Sequence, residues 1–160
     1  MRISARADYA IRGLLEIANA EAPPIKRDAI AAAQAIPVKF LESILAELKH
    51  AGLITSQRGS DGGYALARAA DEITVADVMR VIEGPLATIR DSRPEALGYE
   101  GSAESLREVW IALRAHMRTV LESVTLQHLL EHDLPAAIRD ATGSPEAWEP
   151  PTGPHPLAGT

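Results

Sequence analysis

Cysteine is absent from all 160 residues. Its absence removes disulfides, thiolate zinc sites, cysteine-based redox sensing and any iron–sulfur cluster held by thiolates. No run of about 18 apolar residues occurs, so no segment has the composition of a membrane-crossing helix. The opening Met1-Arg2-Ile3-Ser4 lacks the apolar stretch and small-residue cleavage site of a secretory signal. The expectation is a soluble, cytoplasmic protein with no membrane partner. Cations are scarce as well: 16 Lys and Arg stand against 22 Asp and Glu, a net charge of -6. Taken whole, that balance argues against nucleic acid, because phosphate contacts need positive charge.

The distribution of charge changes the picture. Residues 1–68 hold nine Lys or Arg and seven Asp or Glu, net +2, while residues 69–160 hold seven against fifteen, net -8; the two sum to -6. A local basic patch can therefore form in the front half. With 46% hydrophobic and 24% charged residues, the chain suits one ordinary globular domain carrying an appended element.

Apolar spacing places the elements. Ala7, Ala10, Ile11, Leu14, Leu15 and Ala18 recur at steps of three and four, predicting a first helix over Ser4 to Ala20 that Pro23-Pro24 stops. A short second helix is predicted from Arg27 or Asp28 to Ala35. After Ile36-Pro37 a third runs to His50, with Phe40, Leu41, Ile44, Leu45 and Leu48 as its buried stripe and Gly52 just past its end. Leu53 to Arg58 and Tyr64 to Leu66 read as two strands around the glycine-rich tip Gly59-Ser60-Asp61-Gly62-Gly63. Three helices followed by a glycine-tipped hairpin is the order of a winged helix-turn-helix, so the fold class is mainly α with a small β-wing.

Further along, Ile73 to Ile82 predicts a helix capped by Thr74, with Asp77 at its third position, ending at Gly84-Pro85. The stretch from Leu86 to Gly101 is an irregular loop. From Ser102 a long helix is expected, in which Leu106, Trp110, Leu113, Met117, Val120 and Val124 step by 4, 3, 4, 3 and 4. That spacing is a heptad seam suited to pairing two subunits. Another helix is expected from Leu126 to Arg139. The proline-rich tail from Gly143 is expected to be disordered. The domain reading is thus 1–84 winged domain, 85–101 loop, 102–140 dimerisation and terminal helices, and 141–160 tail.

A winged helix sets its third helix in the major groove and its hairpin tip against backbone or minor groove. Lys39, Phe40, Glu42 and Ser43 occupy the first turns of that helix. Lysine can donate to guanine, glutamate can accept from cytosine and serine can serve either; Phe40 either faces the core or touches a thymine methyl. Arg58 and Gly59 stand at the foot of the wing, where an arginine suits a narrow minor groove. Arg2, Arg6, Lys26 and Arg27 can add phosphate contacts.

These segments resemble a known family. Asp8-Tyr9-Ala10, Ile36 to Glu42, Leu48 to Leu53, Arg58-Gly59-Ser60-Asp61-Gly62-Gly63-Tyr64-Ala65-Leu66, Ile73 to Val78 and Val124-Thr125-Leu126 are similar to the Rrf2 family of bacterial transcriptional regulators, the IscR, NsrR and CymR type, over roughly residues 1 to 135. The resemblance implies a homodimer built on a long helix, two winged domains and a palindromic double-stranded DNA operator. It also matches Lys39, Phe40, Glu42, Ser43 and Arg58 to positions of DNA contact. Many members hold an iron–sulfur cluster through three cysteines in the loop before the long helix, and Ile89 to Glu108 has none. Two readings stay open there: a signal other than a thiolate cluster, or a form whose cysteines have been substituted. A sensor pocket for a small-molecule or protein effector is expected near Asp8, Arg12, Arg107, Trp110 and Arg114, with a plain salt bridge between Asp8 and one of the arginines as the competing reading.

Two alternatives compete with the regulator. His128-Leu129-Leu130-Glu131-His132 matches a His-x-x-Glu-His metalloprotease pattern, or a histidine-based metal-responsive site. A winged-helix protein-interaction module without DNA binding is the other. The expectation is no enzyme, no catalytic residues and no cofactor.

Overall fold

The computed structural model describes residues 3–149; Arg2 and the last eleven positions of the expected tail lie outside the described residues. Helix α1 (Ala5–Ala18) starts where the Ser4 side chain accepts a hydrogen bond from the Ala7 backbone N–H, which satisfies one of the free donors of the first turn. Its buried residues Ala7, Ala10, Leu14 and Ile17 form one face at helical spacing. Helix α2 (Arg27–Gln34) ends at Ala35, whose left-handed backbone (φ 51°) lets the chain reverse before Pro37 caps α3 (Val38–His50). The axes of α2 and α3 differ by 119°, the geometry of a helix-turn-helix pair.

Leu41, Ile44, Leu45 and Leu48 of α3 pack against Leu14, Ile30 and Ile36, and Leu53, Ile54, Ile73, Val78 and Leu126 close the same core. Each such fully buried side chain contributes roughly 1.5–3 kcal/mol of transfer free energy. The core thereby fixes which side of α3 looks outward. Phe40 was expected in the buried stripe and is instead 53% exposed. It sits one position before the Leu41 ridge, so it turns to the rim and meets Tyr9 edge-on at 6.5 Å between ring centroids.

Strands β1 (Ile54–Gln57) and β2 (Gly63–Leu66) pair antiparallel, with Ile54 opposite Leu66 and Gln57 opposite Gly63. Ile25, just ahead of α2, bridges Tyr64 on the far side of β2. Helix α4 (Val75–Glu83) opens with a capping box, in which Thr74 Oγ1 accepts from the Asp77 N–H and the Asp77 carboxylate accepts from the Thr74 N–H. The loop that follows carries one 3-10 turn at Pro94–Ala96, with Pro94 buried, and another at Gly101–Ala103.

That second turn delays the long helix: α5 runs Leu106–Ser123, four residues later than the expected start. Of the expected seam, Leu106, Leu113 and Val120 are exposed, joined by Val109, while Trp110 and Met117 are half-buried. Val124 departs from it: the residue caps α5 in extended geometry, is 7% exposed and belongs to the domain interior. Its carbonyl accepts the Val75 N–H at 2.8 Å, and the Leu126 N–H donates to the Ile73 carbonyl at 3.0 Å, which ties the end of α5 to the start of α4.

The expected terminal helix is two. α6 (Leu126–Leu130) stops before His132, which has φ 55°, and α7 (Ala136–Thr142) begins after Pro135. Proline lacks the N–H and its ring clashes with the preceding turn, so one helix cannot run through position 135. The start of the expected disordered tail is ordered: Pro145–Ala147 makes a 3-10 turn and Trp148 Nε1 donates to the Thr142 carbonyl at 2.7 Å.

Candidate nucleic-acid interface

The wing base and the start of α2 meet in a concave surface of about 470 Å³ that includes Lys26, Arg27, Ser56, Gln57, Arg58 and Gly59. Two backbone hydrogen bonds between Ile25 and Tyr64 hold these segments together. Gly63 makes that approach achievable, because a Cβ there would lie 2.4 Å from the Ile25 carbonyl oxygen. Lys26 and Arg58 are both exposed at this surface. Ser56 and Gln57 were not singled out from the sequence; the all-polar run Thr55-Ser56-Gln57-Arg58 after buried Ile54 was the available signal.

On α3, Lys39, Phe40, Glu42 and Ser43 all face solvent. Not all are equally free. Ser43 Oγ donates to the Phe40 carbonyl at 2.9 Å, one turn back. Glu42 accepts from Arg27 at 2.9 Å, while Arg27 Nε reaches Asp28 at 3.0 Å. Arg27 is thus a brace between α2 and α3 rather than a free cation, and Asp28 first, then Glu42, raises its pKa. Arg6 is also committed, pairing with Glu47 of α3 at 2.6 Å. Lys26, Lys39 and Arg58 make no ion pair among the described residues, and together they form the open cationic set.

The expected sensor residues do not converge in one chain. Asp8 and Arg12 pair one helical turn apart on α1 at 3.0 Å, and Arg12 Nε also donates to Gln34 Oε1 at 3.0 Å, so this pair faces α2. Arg107 and Arg114 lie on α5 around Glu95, with Arg107 donating to the Glu95 carbonyl at 3.1 Å and Arg114 pairing with its carboxylate. Helix α4 packs against both α1 and α5. Trp110 Nε1 is buried and without a hydrogen-bond partner among the described residues.

The end of α6 splits the His-x-x-Glu-His pattern. His128 Nδ1 accepts the Thr125 N–H at 3.2 Å as part of the α6 cap, and His132 lies beyond the helix end in left-handed geometry. Among the described residues no three His, Cys, Asp or Glu side chains cluster closely enough to hold a metal ion.

Comparison with known proteins adds to this geometry. Residues 3–132 match the Rrf2 family, described as an iron-dependent transcriptional regulator. The chain belongs to the Rrf2 family. Rv1287 of Mycobacterium tuberculosis, named as an HTH-type transcriptional regulator, is 45% identical over 150 residues, covering 93% of each chain. The regulator CymR of Bacillus subtilis is 35% identical over 133 residues, covering 82% of this chain and 91% of its own. Among solved structures, that of B. subtilis CymR, titled a global cysteine regulator, superposes with a TM-score of 0.70 at 34% identity, covering 82% of this chain and 98% of its own. T. potens IscR superposes with a TM-score of 0.67 at 30% identity, covering 82% and 88%. As an Rrf2 protein the chain is a winged-helix, DNA-binding transcriptional regulator, not an enzyme. The family description speaks of iron, and this chain's residues do not fit a thiolate-held cluster: there is no cysteine, and among the described residues no cluster of substitute donors. Among the described residues no single helix is long and apolar enough to cross a membrane, and the one bent pair that passes by length and composition is the helix-turn-helix itself.

Proposed function

We propose that this Rrf2 protein acts in the cytoplasm as a homodimeric, sequence-specific repressor on a palindromic operator, without a cysteine-ligated iron–sulfur cluster. The observation that carries the reading is the shared exposure of Lys26 at the entry to α2, Lys39 on α3 and Arg58 on the wing. In this arrangement α3 enters the major groove, Lys39, Glu42 and Ser43 read base edges, Phe40 packs on a thymine methyl, and Arg58 with Gly59 follows the backbone into the minor groove. The apolar stripe Leu106, Val109, Leu113 and Val120 on α5 supports pairing, since these residues stay uncovered within one chain and stand at heptad spacing. Two copies then present two reading helices to one duplex. Repression follows where the operator overlaps a promoter.

Fluorescence anisotropy with genomic promoter fragments tests this. The expected result is tight binding to a palindromic fragment that weakens steeply as salt rises, at two chains per site, with transcription from that promoter reduced in vitro. Salt-insensitive or absent DNA binding overturns the reading.

A further inference from the structure

Helix α4, the loop after it and α5 border a second, open cleft of about 420 Å³, a size suited to a small organic ligand. Its wall holds four arginines, Arg80, Arg93, Arg114 and Arg118, with one carboxylate, Glu95, and an apolar side that includes Leu86. None of these belongs to the DNA-facing set. Gathering four guanidinium groups around one small space is unfavourable unless anions share it. Arg80 and Arg118 are both held by Glu122 of α5, outside the wall, and Arg80 stands 3.8 Å from Asp77. Inside the cleft only Glu95 answers the arginines, through its pair with Arg114. Arg93 makes no ion pair among the described residues. Arg114, 22% exposed, is the most sheltered of the three ion-paired arginines, and an anion meets a stronger field there than at the open surface.

We propose that this cleft binds a small-molecule polyanion, a phosphorylated or polycarboxylate metabolite, whose oxyanion groups engage Arg93, Arg114 and Arg118 and displace Glu95 from Arg114. Guanidinium forks suit planar carboxylates and phosphates alike through paired hydrogen bonds, and Leu86 offers apolar contact to the body of such a ligand. Glu95 acts as the internal counter-anion of the cleft. It sits in the Pro94–Ala96 turn, so its release removes one of the two arginine tethers that fasten this loop to α5, leaving the Arg107 bond to the Glu95 carbonyl. Ligand occupancy is thereby coupled to the arm that carries the α5 stripe. The consequence for operator affinity rests on the regulator reading above; the binding itself does not.

Isothermal titration calorimetry of the full chain, with pyrophosphate in one arm and citrate in the other, tests the site. Saturable binding of one probe per chain is expected, and the preferred arm separates phosphate from carboxylate chemistry. The double variant Arg93→Gln/Arg118→Gln weakens binding at least about tenfold, Glu95→Gln tightens it several-fold by removing the competitor, and Lys39→Ala/Arg58→Ala on the DNA-facing side leaves it intact. Circular dichroism establishes that each variant is folded. No saturable binding of either probe at millimolar concentration, or equal binding by the Arg93/Arg118 double variant, overturns the proposal. Operator binding without probe binding rejects the cleft alone, and probe binding without operator binding rejects the regulator reading alone.

Discussion

Ile25 and Tyr64 exchange two backbone hydrogen bonds, Ile25 N–H to the Tyr64 carbonyl at 2.9 Å and Tyr64 N–H to the Ile25 carbonyl at 2.8 Å. This exchange joins the segment entering α2 to the returning strand of the wing. It is the reason that Lys26 and Arg58, far apart in the chain, share one surface.

Gly63→Ala tests how tightly that join is made. The new methyl group would meet the Ile25 carbonyl at 2.4 Å, and relieving the clash separates the wing from the α2 entry. A loss of ~1–3 kcal/mol is expected, read as a lower urea midpoint. DNA affinity falls with it. An unchanged midpoint would show that the two segments are not in register in solution.

Arg58→Ala should weaken specific binding by ~1–3 kcal/mol if the guanidinium reads a groove, or lower the salt slope by about 1 if it meets phosphate. Arg6→Ala provides the contrast, because Arg6 is already paired with Glu47 and both side chains are about two-fifths exposed. Its loss should cost at most ~1 kcal/mol of stability and leave operator affinity near wild type. Anisotropy titrations of both variants at several salt concentrations compare them directly.

Local signals were enough for the winged domain. The 3-4 spacing from Ala7 to Ala18, the Ile36-Pro37 break and the glycines of the wing each act within a few residues, so helices, turn and hairpin were legible as sequence. The partners of the arginines were not. Arg27 looks like a free cation in the chain and becomes a brace only because α2 crosses α3 beside Glu42. Arg6 is the same case with Glu47, and the four arginines of the second cleft come from three separate elements with no common period. Two misreadings had local causes that were present all along: Pro135 forbids a continuous last helix, and the phase of α3 puts Phe40 beside the Leu41 ridge rather than on it.

Leu113→Asp probes the exposed stripe of α5. Leu113 is 43% exposed in one chain, so an aspartate costs little in a monomer and places an uncompensated charge in a paired interface. Sedimentation velocity should find monomers with an unaltered fold by circular dichroism. Persistence of the dimer would move the interface elsewhere.

Acid should loosen the tie between α4 and α5. The Glu122 carboxyl is held below its usual range, first by hydrogen bonds from Arg118 and Arg80 and then by their charges. Because the folded value is the lower one, the contribution is present above the ordinary carboxylate pKa and disappears as pH falls through the depressed folded value. Glu122→Gln should therefore melt below wild type at neutral pH, with the gap closing in acid. An equal gap at both ends would show that the pair is not ionic in origin.

The backbone bonds that run from Val124 to Val75 and from Leu126 to Ile73 weld one end of the long arm to its reading head, and they survive any exchange of side chain there except one that places proline at a donor position. Nearer its start the arm is fastened to the small turn at Pro94–Ala96 by the side chains of Arg107 and Arg114, which hold Glu95. In a paired molecule the pitch between the two heads is therefore more easily adjusted through these side-chain ties than through the backbone weld, so substitutions that retune operator half-site spacing should accumulate around that turn and spare the weld.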